Sequence, residues 1–244
     1  MLFDILFSGN MQGNIQDRIQ AAIISFLLSV PIIILVMSVH EYAHGVVAKK
    51  LGDPTAESLG RLTLNPFKHI DIIGFLMFLI IGIGYAKPVP INSRYFKKPK
   101  RDMALVGAAG PISNVLMALL FGFLAKVFDL LLPFLPINAT SAVAYGYLAQ
   151  ILYCGIAYNM IFAIFNLIPV PPLDGSRILY AFLPSKALLW FQRYEQYFFW
   201  GLLGVFLIFN ILNINIIGGV ANFFINIIFK IFFISSRFIF LLLL

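Results

Sequence analysis

Histidines at positions 40 and 44 flank a glutamate at position 41 in the run HEYAH. On a helix, residues four apart share a face, so His40 and His44 can direct both imidazoles at one metal ion. Glu41 beside them is placed as a general base, able to take a proton from water that the metal activates. The chemistry such a constellation supports is metal-assisted hydrolysis. Two packing histidines on an ordinary helix would give the same five letters, so location decides between the readings. The motif lies near the end of an apolar segment at about 20–48. At about 1.5 Å per residue, His40 sits roughly 14 Å below Lys49, the first residue of a polar boundary. Ionisable groups at that depth are expensive and face a cavity or one another, which favours the metal.

A catalytic zinc takes three protein ligands and keeps a fourth position for water. The chain has ten acidic residues. Asp4, Asp17, Asp53, Glu57, Asp102, Asp129 and Glu195 fall in loops or beside basic residues, where solvated charge is the expectation. Asp71 and Asp174 remain. Asp174 is the last residue but one of the run NLIPVPPLDG at 166–175, in which Pro169, Pro171 and Pro172 cannot continue a regular helix. The chain opens there and can aim a carboxylate sideways, which makes Asp174 the third ligand. His69 and Asp71 are expected to form a local hydrogen-bonded turn, because a fourth protein ligand would close the water position.

The elements that must position these groups are membrane helices. Of the 244 residues, 61% are hydrophobic and 11% are charged, against about 25% charged in a soluble domain. Mean hydropathy is +0.95. Apolar segments at about 20–48, 103–132, 143–169, 197–217 and 220–242 are read as spans of a ~30 Å hydrocarbon core. The N-terminus lacks the order of a cleaved signal peptide. The formal net charge of +7 sits in loops between apolar segments, as in cytoplasmic loops facing anionic lipid, and nucleic acid is excluded as a partner. The single Cys154 rules out an internal disulfide and reads as a packing residue.

Basic residues set the orientation. Lys49, Lys50, Arg61 and Lys68 follow the first span; Lys87, Arg94, Lys97, Lys98, Lys100 and Arg101 precede the second; Arg177, Lys186 and Arg193 follow the third. The first span therefore runs inward, the second outward and the third inward, bringing Asp174 to the side of the histidines. Residues 72–86 are apolar but short and flanked by basic loops, so a re-entrant hairpin is expected there. Gly60–Asn65 alternates like a strand and offers an edge for pairing with an unwound substrate. Residues 184–196 read as an interfacial helix. Lys230 and Arg237 make the last segment an imperfect span.

Together, HEYAH in a first span, GRLTLNPFKHID at 60–71, YAKPVP at 85–90, AAGPISN at 108–114 and NLIPVPPLDG resemble the site-2 protease family of intramembrane zinc metalloproteases. The resemblance covers roughly residues 20–185, in family order, and is closest to small members without an inserted PDZ domain. It implies one zinc per chain held by His40, His44 and Asp174, with Glu41 as catalyst. It also draws attention to Asn166 and Asn114. Either amide can donate to a developing oxyanion or hold a substrate backbone; either can equally bond between helices. Gly107, Gly110 and Ser113 read as close-packing positions.

The expectation is a single all-α polytopic membrane domain. A three-helix catalytic core at about 20–185 precedes C-terminal spans at about 186–244, and a small β or re-entrant segment lies between the first two core spans. Its partners are the lipid bilayer and transmembrane protein substrates, and its address is a prokaryotic cell membrane with the site opening toward the cytoplasm. A metal carrier would need no Glu41 and would show polar groups through both halves of the membrane. A non-catalytic binder would show a damaged motif.

Overall fold

The computed structural model describes residues 14–71, 74, 86–136, 138–212 and 214–242. Helix makes up 76% of it. The helices are α1 (Ile15–Lys50), the single turn α2 (Thr55–Ser58), α3 (Pro99–Leu131), α4 (Ala139–Asn166), α5 (Asp174–Tyr180), α6 (Ser185–Arg193), α7 (Glu195–Ile211), α8 (Ile216–Ile231) and α9 (Ser236–Leu241).

Three of these, α1, α3 and α4, are long and apolar enough to cross a membrane, and they match the first three expected spans. The chain is an integral membrane protein. The other two expected spans come out differently. Helix α7 has 17 residues and α8 has 16, at or just under the lower end of the ~17–25 that cross a membrane, so neither is confirmed as a span. The segment expected at 220–242 is two helices, broken where Phe233 adopts φ +50°. Polar groups on α3 hold that break. The Lys126 ammonium donates to Phe233 O at 2.8 Å, and the Asp129 carboxylate accepts from the Ser235 N–H at 3.1 Å and from its hydroxyl. These bonds engage backbone groups that a continuous helix would have used internally.

Side-chain chemistry sets the helix ends. Asn138 and Ser141 form a reciprocal capping box at the start of α4, and Pro99 occupies the first turn of α3. Asp53, Asp102 and Asp129, expected as solvated charges, are instead buried. Each carboxylate is drawn in by donors. Asp53 accepts from the Thr55 N–H and hydroxyl and, at 2.7 Å, from the Asn92 N–H; Asp102 accepts from the Lys98 N–H and from Arg101.

No strand occurs among the described residues. The stretch Gly60–Asn65 is irregular, for a local reason. The Thr63 N–H donates to Arg61 O at 3.0 Å, and Thr63 O accepts from His69 Nε2 at 2.7 Å, so both backbone groups are engaged within the chain. The expected re-entrant hairpin at 72–86 lies, Gly74 and Ala86 aside, outside the described residues.

The bundle core joins Val36 of α1, Phe121 and Phe128 of α3, Ile156 and Met160 of α4, Ile225 of α8 and Phe238 of α9. Helix α8 thus completes the bundle. Glycines set the closest approaches. A Cβ on Gly155 would stand 2.3 Å from the Phe121 ring, and one on Gly122 would stand 2.6 Å from Ile228. Membrane helices depend on such fits because lipid offers no hydrophobic driving force between them. Gly155→Ala is therefore expected to force α3 and α4 apart at a cost of about 1–3 kcal/mol. A thermal unfolding scan in detergent reads this as a lowered Tm, while Gly204→Ala, which meets nothing within 4 Å, leaves Tm unchanged or raised.

Candidate metal centre

At about 1.5 Å per residue, the 36 residues of α1 make a rod of roughly 54 Å. His40 and His44 lie near its C-terminal end and face into the bundle, at 5% and 3% exposure. The third group arrives from the far side of the fold. Pro169, Pro171 and Pro172 end α4, and the chain folds back on itself before α5. The turn is so tight that a Cβ on Gly175 would lie 2.3 Å from Leu167 O. Asp174, the first residue of α5, is thereby buried beside the histidines.

His40 Nε2 and His44 Nε2 lie 2.9 and 3.0 Å from Asp174 Oδ2, and 3.1 Å from each other. The tautomer of His44 follows from its other nitrogen. Nδ1 stands 2.7 Å from Val106 O; a carbonyl only accepts, so Nδ1 carries a proton and Nε2 is the nitrogen turned to Asp174 Oδ2. That contact needs positive charge at its focus, either a proton on Nε2 or a metal ion. Around a tetrahedral metal with bonds of about 2.0–2.1 Å, ligand atoms stand roughly 3.3 Å apart, close to the spacing seen. Two imidazoles and one carboxylate are a ligand set suited to zinc with an open position.

Helix α3 supplies the floor. A Cβ on Gly110 would sit 2.4 Å from His40 Cε1 and 2.6 Å from His44 Nε2, and one on Gly107 would sit 3.0 Å from Asp174 O. The close packing expected of these glycines is therefore made against the metal-binding group itself. Arg177, one turn along α5, donates to Asp174 Oδ1 at 3.3 Å, leaving Oδ2 to the histidines.

Glu41 Oε2 accepts from the Val89 N–H at 2.8 Å. The segment carrying Val89 is fixed in turn. Arg61 donates to Lys87 O and Pro88 O, the Lys87 N–H donates to His69 O, and the Asn92 N–H donates to Asp53. Gly45 leaves room for Leu62 and Val89 to lie on α1 beside the motif.

The remaining candidates separate. Asn114 is fully buried one turn beyond Gly110, and neither amide atom has a partner among the described residues. Asn166 is half-buried at the last residue of α4 and donates to Phe162 O of its own helix at 3.0 Å. His69 Nε2 bonds Thr63 O, and Asp71 Oδ1 accepts from the Gly74 N–H at 2.9 Å; both build the turn expected of them. Sequence reasoning missed Val106, Val89 and Arg177. The first two act through backbone atoms and leave no residue signal. Arg177, three residues after Asp174 on a helix, carried a readable spacing. It also missed Asn159, fully buried on α4, whose Nδ2 donates to Gly155 O while Oδ1 has no partner among the described residues.

Comparison with known proteins agrees with a zinc site. The model of peptidase family M50 matches residues 26–131 and 125–209. YwhC of Bacillus subtilis, which carries the name of a zinc metalloprotease, is 41% identical over 167 residues, 68% of this chain and 74% of YwhC. Two relatives bearing the same kind of name are each 28% identical: Rip2 of Mycolicibacterium smegmatis over 163 residues, and a Methanocaldococcus jannaschii protein over 144. The Rip2 match takes in 62% of this chain and 55% of that protein; the archaeal match takes in 57% and 62%. No solved structure gives a significant match.

Gly110→Ala tests the floor directly. The added methyl would overlap both imidazoles, and zinc content measured by elemental analysis is expected to fall from about one per chain to a small fraction. Gly201→Ala, whose Cβ meets nothing within 4 Å, is expected to retain it.

Proposed function

This chain belongs to peptidase family M50, the site-2 protease family, and from that membership we propose that it hydrolyses peptide bonds within or beside transmembrane segments of other membrane proteins. The observation that carries the reading is the convergence of His40 Nε2, His44 Nε2 and Asp174 Oδ2 at a buried point inside the helix bundle, one residue from Glu41. His40, His44 and Asp174 would hold the zinc. When bound, zinc supplies a Lewis acid that polarises the scissile carbonyl and lowers the pKa of water.

Glu41 takes a proton from the attacking water as its oxygen bonds to the carbonyl carbon. When the C–N bond breaks, Glu41 returns that proton to the departing amine. The Val89 N–H holds one carboxylate oxygen and leaves the other to face the water. Arg177 keeps Asp174 oriented. Asn166 and Asn114 are the candidates for contacting the oxyanion or the substrate backbone, with Asn166 favoured by its place at the open end of α4. A substrate helix must unwind first, because internal hydrogen bonds protect its carbonyls. The clustering of Lys49, Lys50 and residues 97–101 at the site's end of the bundle supports a site opening toward the cytoplasm of a prokaryotic cell membrane.

Glu41→Gln keeps the shape of the side chain and removes the base. Detergent-purified variant is expected to retain about one zinc per chain and to cleave a model transmembrane substrate at least ~10²-fold more slowly than the parent. Equal zinc and no cleavage by either protein across several substrates would favour metal carriage or binding instead. Asn166→Ala is expected to lower kcat by roughly 10²-fold with zinc intact; an unchanged kcat removes Asn166 from the mechanism.

A further inference from the structure

Away from the metal ligands, a cleft of about 660 Å³ lies between the first turns of α3 and the end of α5. Its walls are apolar: Ala104, Leu105 and Ala108 on one side, Ile178, Ala181 and Phe182 on the other. Its mouth is cationic, formed by Lys98, Lys100 and Arg101. Across residues 97–102, one carboxylate, Asp102, faces four cations. Asp102 is committed to Arg101 at 2.7 Å. Among the described residues Lys100 Nζ donates once, to Leu183 O at 2.8 Å, which leaves two of its three N–H groups uncommitted there. The Lys98 ammonium forms no ion pair among the described residues.

We propose that this cleft binds an anionic phospholipid from the surrounding membrane. The polarity is that of such a lipid: cations at the level where α3 leaves the bilayer, and below them a trough that the small Ala104 and Ala108 leave open to an acyl chain. Leu105 and Phe182 are exposed, at 47% and 82%, and so face the hydrocarbon from which a lipid would enter. Basic pockets between helices at the cytoplasmic side suit acidic headgroups, each Lys or Arg near the surface adding about fivefold in affinity. The occupant would rest against the helix that begins with Asp174, but its binding does not depend on the reaction proposed above.

Native mass spectrometry of the full-length protein from mixed phosphatidylglycerol and phosphatidylcholine reads the preference directly. The parent is expected to retain phosphatidylglycerol about tenfold over phosphatidylcholine, and Lys98→Gln/Lys100→Gln to lose roughly that factor. Lys186→Gln/Arg193→Gln, which removes the same charge from α6, should keep the preference. Ala104→Phe fills the trough with every charge in place and should also release the lipid; it decides the matter if the double lysine variant does not fold. Equal retention of both lipids by the parent, an equal fall in the α6 variant, or full retention by Ala104→Phe would each overturn the proposal.

Discussion

A carboxylate and two imidazoles buried together inside an apolar bundle are the constraint around which this fold is arranged. An isolated charge there would cost several kcal/mol, so these groups face one another, with His40 Nδ1 the one ring nitrogen of the pair left without a partner among the described residues. The Nδ1 proton of His44 is placed by a carbonyl on α3, Asp174 Oδ1 is held by Arg177, and Asp174 Oδ2 is left to the two imidazoles. The glycines of α3 follow from the same demand. With side chains at positions 107 and 110, the helix could not come near enough for Val106 to reach His44. What looks like packing economy is a condition for assembling the site.

The bundle and the polar end solve different problems. In the bundle, glycine against aromatic ring brings helices together by shape alone, as at Gly155 and Phe121. At the metal-site end, the connecting segments carry almost no regular structure and are held by directed bonds: Asp53 to Asn92, Arg61 to Lys87 and Pro88, Glu41 to Val89. That network ends on the proposed base, so the orientation of Glu41 depends on residues some fifty positions away in the chain.

Much of this was legible in the sequence because membranes restrict what ionisable residues can do. HEYAH inside an apolar span, with an aspartate after a proline-rich helix end on the same side, leaves few alternatives, and these three ligand atoms do meet. The first three spans were legible from length and hydropathy. The C-terminal segments were not, since hydropathy does not register the bonds from Lys126 and Asp129 that break the chain at Phe233. Nor does alternation at Gly60–Asn65 reveal that the Thr63 backbone groups are taken by Arg61 and His69. Asp53, Asp102 and Asp129 were misjudged because a charge beside basic residues looks solvated until its backbone donors are seen. Val106 and Val89 contribute through atoms every residue possesses, which no reading of side chains can find.

The three ligands come from opposite ends of the core, at positions 40, 44 and 174. During translation the two histidines leave the ribosome with the first helix, while the aspartate follows only after two more helices have been made. A nascent chain therefore holds two of the three ligands until α3 and α4 have been made. Chain order delays the complete ligand set until the third long helix has ended, with α6 to α9 still to follow and the last two of them to close the bundle.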